Sequence, residues 1–436
     1  MINKLLQLRK RPFVTSECLL AGFLFFFLVL SGPRFSKFAT LCGGLALLFF
    51  VAEIAFRPSM RVLPKLKPLL PYLLLSVLTV LVLPLIPYAG SRVWNIFTGI
   101  LILGITFSIA RSFGRASVLE YAFPLVVCGL CFLMLVAPSL VGAETATAAQ
   151  SGRVNYKATG LGEGGGLLSS HFSVIVGIAV FLSLSVLMVG GFRLRKLFSI
   201  EGLFHVFTML LGFYLIVVLS GSRQGLIWLF LAAMYCYAVY TKRSFFLGII
   251  FAIPVGIILL TLIYVFFQDS PTVQRILVLF DPVARTFSEE KSFEGRLYMI
   301  QVGFDIWLQS PIWGNGNEAF RVHTGGVSYS HNNYIELLAN YGVIGCLLYY
   351  IPMLSGLWIA TRSFFATPHQ QLKNDYLWVV FCLVAILASN MFMPSYYMKH
   401  MLMFMGIVLG RLYYIKDNAH QIMALADRGG YRPWKK

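Results

Sequence analysis

Long apolar runs separated by short polar connections dominate the chain from end to end. By the criterion of roughly 20 apolar residues per membrane crossing, spans are predicted near 15–32, 38–56, 69–88, 93–110, 118–141, 167–191, 202–220, 224–241, 244–267, 333–361, 375–393 and 400–415. The runs are continuous and do not alternate in polarity, which excludes a lipid-embedded strand barrel. The pattern predicts an all-α polytopic membrane protein of about 12 transmembrane helices. The first run is followed by Pro33 and Arg34 with no small-residue cleavage site, so it reads as a first span and not as a cleaved signal.

Three stretches break the rhythm of one integral membrane domain, 1–436. Residues 142–166 form a first large outer loop rich in Gly, Ala and Thr, residues 268–330 a main outer loop, and residues 416–436 a basic tail. Within the main loop, Leu297, Ile300, Phe304, Trp307 and Leu308 recur at helical spacing. Gly295 precedes this stripe and Pro311 closes it, as helix boundaries do. This segment is expected to be an amphipathic helix on the outer membrane surface, between spans nine and ten.

Composition agrees with this pattern. The chain is 58% hydrophobic and 12% charged, against about 25% charged in soluble domains, so a single water-soluble domain is excluded. The net charge of +18 would suggest nucleic acid on a soluble protein. Here it marks topology instead, because the short loops on one side hold most of the cations: Lys4, Arg9, Arg57, Arg61, Arg111, Arg115, Arg193, Arg195, Lys242, Arg243 and Arg362 among them. The positive-inside rule then makes both termini cytoplasmic, and no nucleic-acid partner is expected. All seven cysteines fall in apolar stretches. Cys128 and Cys131 have redox-motif spacing, but in mid-segment they read as small hydrophobes, and no metal site is expected.

Outer cations run against the topology bias and so invite a reason. Arg34, Lys157 and Lys399 fit snorkelling and contact with lipid headgroups. Arg223 differs. It sits in the turn Ser220-Gly221-Ser222-Arg223-Gln224-Gly225, which fixes its backbone, and a guanidinium grips phosphate with two parallel hydrogen bonds. Arg296 opens the expected loop helix, and Arg153 lies in the first large loop. The segment Ser330-His331-Asn332-Asn333-Tyr334 introduces the tenth span. Ser330 is the expected N-cap, which puts His331 in the first helical turn. The positive helix end there disfavours imidazolium and favours a nearby anion. Glu336 is expected to face away from His331, and Gly342 and Gly345 to permit close helix packing. His323 and His171 are second-tier candidates. Glu53 and Glu120, toward inner span ends, read as structural.

The order His331-Asn332, nine residues, Gly342, two residues, Gly345, after a large outer loop and alongside Arg223 and Arg296, resembles the O-antigen ligase and O-antigen polymerase superfamily. The resemblance rests on spans seven to ten. It implies a metal-independent, inverting glycosyltransferase without a cofactor, which moves an undecaprenyl-diphosphate-linked glycan to an acceptor hydroxyl on the outer face of the bacterial inner membrane. The acceptor would be lipid A–core for a ligase, the preferred reading, or a second lipid-linked repeat unit for an O-antigen, capsular or exopolysaccharide polymerase. Two departures stand out. Related sequences often have a Pro-Asn pair in the first large loop, where this chain has Ala158–Glu163 followed by Gly164, Gly165 and Gly166, which reads as a flexible lid. The tail after Lys416 reads as short and basic, without the soluble domain expected in the larger protein-glycosylating members, and so argues against that branch.

In this reading His331 is the general base toward the acceptor. Its ordinary pKa of about 6.5 suits neutral pH. Arg223 and Arg296 stabilise the departing diphosphate. Ser222, Asn332, Tyr334, Arg153, Arg321 and His323 are the expected substrate contacts, with membrane lipids as further partners. A lipid-linked oligosaccharide flippase shares the span count and ligand, but it would carry its charges at mid-membrane depth. A scaffold protein is the other rival.

Overall fold

The computed structural model describes residues 66–81, 89–113, 121, 123–129, 169–188, 198–219, 223–241, 264–268, 287–324 and 330–427, with scattered positions within 41–48 and 254–262. In order, its helices are α1 (Leu70–Leu81), α2 (Ala89–Phe113), α3 (Ser169–Met188), α4 (Ile200–Tyr214), α5 (Arg223–Thr241), α6 (Phe287–Gln309), α7 (Ala319–His323), α8 (Asn333–Ala366), α9 (Gln370–Ser389) and α10 (Lys399–Asp427). Among the described residues, Val93–Arg111, Ile200–Val217, Asn333–Ala366 and Gln370–Ser389 are long and apolar enough to cross a membrane. They match the expected fourth, seventh, tenth and eleventh spans. Shorter apolar helices cover Lys67–Leu81, Phe172–Met188 and Gln224–Tyr240, at the expected third, sixth and eighth. The expected first, second, fifth and ninth spans lie wholly or largely outside the described residues, as do the first large loop and the basic residues from Arg428 onward. The expected twelfth span lies within α10. That helix continues past 415 to Asp427, and His400, Arg411, Lys416 and Asp417 interrupt its apolar run.

Contacts fix the helix directions. Gly99 meets Leu402, Gly406 meets Thr106 and Gly410 meets Phe107, so α2 and α10 run parallel. Their backbones approach closely: a Cβ on Gly406 would lie 2.6 Å from the Leu103 carbonyl oxygen, and one on Gly410 2.5 Å from that of Phe107. Gly406-Ile407-Val408-Leu409-Gly410 is therefore a small-residue seam, as membrane helix pairs use where burial of apolar surface gives no drive. Gly177 meets Trp228, and Phe181 meets both Trp228 and Tyr235, so α3 and α5 are parallel as well. Tyr334 to Leu387 and Arg411 to Asp375 make α8, α9 and α10 successively antiparallel. One end of the bundle thus holds the starts of α2, α3, α5, α8 and α10. The side chains Leu70, Leu73, Leu74, Val77 and Leu81 of α1, and Val343, Leu347, Ile351, Leu354 and Trp358 of α8, are exposed apolar stripes, as lipid-facing helix surfaces require.

The helix expected in the main outer loop is present, but its start differs. Gly295 is not its boundary: α6 begins at Phe287, eight residues earlier. The segment Ser288-Glu289-Glu290-Lys291 lacks an apolar stripe, yet acidic residues near a helix start suit the dipole. Arg296 consequently sits inside the helix, exposed, and does not open it. The helix has two apolar sides. Met299, Val302, Gly303 and Ile306 pack toward Phe320, Ile335 and Ala339. Leu297, Phe304 and Leu308, from the expected stripe, are exposed on the other side, followed by Ile312 and Trp313.

Candidate active site

The segment around His331 is built by side chains that hold backbone. The N-cap of α8 is Asn332 and not Ser330: its Oδ1 accepts from Tyr334 N at 2.9 Å and Ile335 N at 3.2 Å. His331 therefore lies just before the helix, half-buried, with φ +54°. Ser330 is engaged instead with the helix it precedes. Its amide donates to Glu336 Oε2 at 3.1 Å and its hydroxyl lies 3.0 Å from the same oxygen. Glu336 is fully buried in the first turns of α8.

A buried polar layer continues from this turn. Asn333 Nδ2 donates to the Tyr350 hydroxyl at 2.8 Å, and Asn333 Oδ1 accepts from Tyr396 N at 2.9 Å. Asn333 N also donates to the Asn390 carbonyl at 2.8 Å. Asn390 Oδ1 accepts from Ser395, whose hydroxyl pairs with Tyr349 at 2.9 Å. Asn340 Nδ2 donates to the Tyr396 hydroxyl at 3.0 Å. The start of α8 is thus pinned to the 389–398 connection between α9 and α10. The start of α5 is pinned to the same connection, because Gln224 Nε2 donates to the Phe392 carbonyl at 3.0 Å and Trp228 Nε1 to Ser389 Oγ at 3.1 Å. Arg223, the first residue of α5, is next to Gln224. Just past that connection, burial pushes the Lys399 ammonium below its ordinary range.

Gly342 has a role different from the close packing expected of it. Its φ of +62° and ψ of −163° break α8, in a region open essentially only to glycine. A continuous helix would bond Val343 N to the Ala339 carbonyl and Ile344 N to that of Asn340. Both bonds are replaced by the backbone of the loop after α6. Asn315 N and Gly316 N donate to the Ala339 and Asn340 carbonyls at 3.0 and 2.9 Å, while Val343 N and Ile344 N donate to the Pro311 and Ile312 carbonyls at 2.9 and 3.2 Å. Irregular backbone inside a membrane protein persists only where protein satisfies it, and here the loop does so. A Cβ on Gly342 would meet the Ile312 carbonyl oxygen at 2.3 Å. The amphipathic α6 and the His331 helix are thereby one stitched unit.

The remaining expected site residues fall as follows. Tyr334 uses its hydroxyl on the Leu387 carbonyl at 3.0 Å and stacks on Tyr350. Arg321 lies 3.9 Å from the buried Glu318 carboxylate. His323 Nδ1 bonds the Ala319 carbonyl at 2.8 Å. Arg153, Ser222 and the side chains of Arg223 and His171 lie outside the described residues, as do Glu53 and Glu120. Sequence reasoning missed Asn390 and Ser395, and it missed the bonding of Ser330 to Glu336. Of these, Glu336 carried a signal as a carboxylate in an apolar span, and Asn390 and Ser395 carried none.

No curated protein matches this sequence. Residues 206–350 match the family model of the O-antigen ligases. The match runs from α4 to the middle of α8 and includes Arg223, Arg296, His331, the break at Gly342 and the loop stitched into it. That family acts on lipid-linked glycans. Over residues 206–350 this chain is thus similar to the O-antigen ligases, a family of glycosyltransferase-type enzymes.

Proposed function

We propose that this chain transfers a glycan from undecaprenyl diphosphate to the hydroxyl of lipid A–core, as an O-antigen ligase, on the outer face of the inner membrane. The acceptor oxygen attacks the anomeric carbon and forms the new glycosidic bond. The bond from that carbon to the phosphate oxygen breaks with inversion, and undecaprenyl diphosphate leaves. His331 takes the acceptor's proton, a role worth roughly 10²–10⁴ in rate. Arg223 and Arg296 carry the charge that develops on the diphosphate. The exposed apolar side of α6 rests on the outer leaflet, and the lipid tail enters between helices.

The observation that supports this most is the backbone of His331. A left-handed φ at a non-glycine residue is costly and concentrates at functional sites, and this one lies within the matched domain, beside a helix start that favours an anion. The test is transfer by the purified chain from lipid-linked repeat units, with and without lipid A–core, for wild type and His331→Ala. Glycan on lipid A–core that is lost in the variant is the expected result. A ladder of longer lipid-linked chains without added acceptor would identify a polymerase instead. No product from the wild type would reject the transfer reading, and full activity in the variant would reject the base.

A further inference from the structure

We propose that Ser330 and Glu336 are a positioning pair for His331, holding it in the left-handed conformation that transfer requires. The idea rests on the reading of His331 as the base. His331, at φ +54°, lies between two anchors that share one hub. On its N-terminal side the hub is tied down, with Ser330 N and Oγ both on Glu336 Oε2 at 3.1 and 3.0 Å. On its C-terminal side the same hydroxyl accepts from Asn332 N at 3.1 Å and lies 2.6 Å from the Asn332 carbonyl oxygen. Asn332 cannot give way, because its side chain caps α8. Two fixed neighbours with one residue between them determine that residue's backbone angles, and hence where its Cβ points.

Glu336 is suited to this anchoring role and costly in any other. It is 0% exposed and Ser330 is 1% exposed. A buried carboxylate has to be met by donors: here the amide of the residue before the base donates to Oε2, its hydroxyl divides one proton between that oxygen at 3.0 Å and the Asn332 carbonyl oxygen at 2.6 Å, and the Tyr396 hydroxyl lies 3.5 Å from Oε1. Tyr396 belongs to the connection that also holds the start of α5. Glu336 thus references the His331 turn to the part of the bundle that carries Arg223. The pair touches no reacting atom in this reading. It acts through His331, and misplacement of a reacting group by about 1 Å can cost 10²-fold in rate.

The test uses the full chain in lipid nanodiscs, with undecaprenyl-diphosphate-linked repeat units as donor and either lipid A–core or a second repeat unit as acceptor. Ser330→Ala and Glu336→Ala should lower kcat by about 10- to 100-fold while KM for the donor stays within a few-fold. Ser330→Thr keeps the hydroxyl, and Glu336→Gln keeps an acceptor oxygen, so both should recover most of kcat. The decisive arm is Ser330→Ala combined with His331→Ala. A residue that acts only through the base adds nothing once the base is gone, so the double variant should match His331→Ala. A further tenfold loss in the double variant would overturn the proposal, as would wild-type kcat in Ser330→Ala. If Glu336→Ala does not fold, the Ser330 series carries the test. Wild-type activity in His331→Ala would instead sink the catalytic reading itself, so the two failures are distinguishable.

Discussion

Two buried polar regions lie at opposite ends of the bundle, and they are built differently. At one end Arg411 and Asp375 pair at 2.9 Å, each almost fully buried, with the guanidinium carbon 3.9 Å from the centre of the Trp378 ring. Charge is met by charge and by an aromatic face, and the two helices that carry these residues, α9 and α10, pass through undisturbed. At the other end amides and hydroxyls from Asn333, Asn390, Ser395, Tyr349, Tyr350 and Tyr396 share bonds, and the backbone departs from regularity. Every positive-φ residue among the described ones falls there: Gly314, Gly316, Glu318, His331 and Gly342. The first region can be explained by the need to join helices. The second holds conformations that cost free energy, which persist only when the surroundings over-determine them. Strain, more than burial or charge, separates the candidate site from the scaffold.

The largest effect that would sharpen this contrast belongs to the scaffold end. Asp375→Ala leaves the Arg411 guanidinium buried against an apolar side chain. Removing one partner of a buried pair costs about 3–5 kcal/mol, read as a large fall in the thermal midpoint of the purified chain. Activity per folded molecule should change little. A double variant, Asp375→Leu with Arg411→Met, should recover much of the stability, since well-packed apolar residues often replace a buried pair without loss. If the double variant were less stable than Asp375→Ala, the pair would be doing something other than neutralising itself.

Gly342→Ala comes next and reverses the balance of effects. The backbone region costs about 1–3 kcal/mol for a residue with a Cβ, and the Ile312 carbonyl stands in the way. Stability should fall by about 3 kcal/mol once that overlap is included. Transfer should fall more than tenfold per folded molecule, because the stitched loop can no longer hold the first turns of α8. Equal activity per folded molecule would separate the helix break from the site.

These two positions also mark what the chain reveals locally. Asp375 and Arg411 are ionisable residues in apolar runs, a recognisable signal, but their pairing across 36 positions has no local signature. The ordered set His331, Asn332, Gly342 and Gly345 was legible as a motif, and the matched domain contains it. The meaning of Gly342 was not, because a break inside a helix depends on which loop arrives to satisfy it. Ser330 and Asn332 are both good caps two residues apart, and the contact of Ser330 with Glu336 decided between them. The start of α6 was hidden because Ser288–Glu294 is helix-compatible but has no apolar stripe, whereas Gly295 looks like a boundary. The spans that fall among the described residues were readable because lipid demands continuous apolar helices whatever they pack against.

Asn332→Ala tests the cap at smaller scale. Losing a side-chain cap costs about 1 kcal/mol. The cap is one of the two anchors on His331, so transfer should fall further than stability does. Asn332→Asp, which keeps an acceptor oxygen for the Tyr334 and Ile335 amides, should hold the stability. If Asn332→Asp were as unstable as Asn332→Ala, the cap would not be the reason this residue matters.

The smallest effect closes the comparison within the scaffold end itself. Arg111 and Asp417 are paired at 2.9 Å, like Arg411 and Asp375, but the Asp417 side chain is 43% exposed. Distance alone would rank the two pairs equal. Solvent does not, because an exposed carboxylate keeps most of its hydration whether or not it is paired, and salt screens what remains. The Arg111 guanidinium also keeps its place over the Tyr413 ring, 5.0 Å from its centre, after the carboxylate is removed. Asp417→Ala should therefore cost below about 1 kcal/mol, an effect that shrinks further between low and high salt, while the cost of Asp375→Ala stays nearly constant. A salt-insensitive loss of several kcal/mol in Asp417→Ala would mean that this end of α10 is buried in the membrane-embedded protein, and that the ion pair beneath Trp378 is not the only closed one.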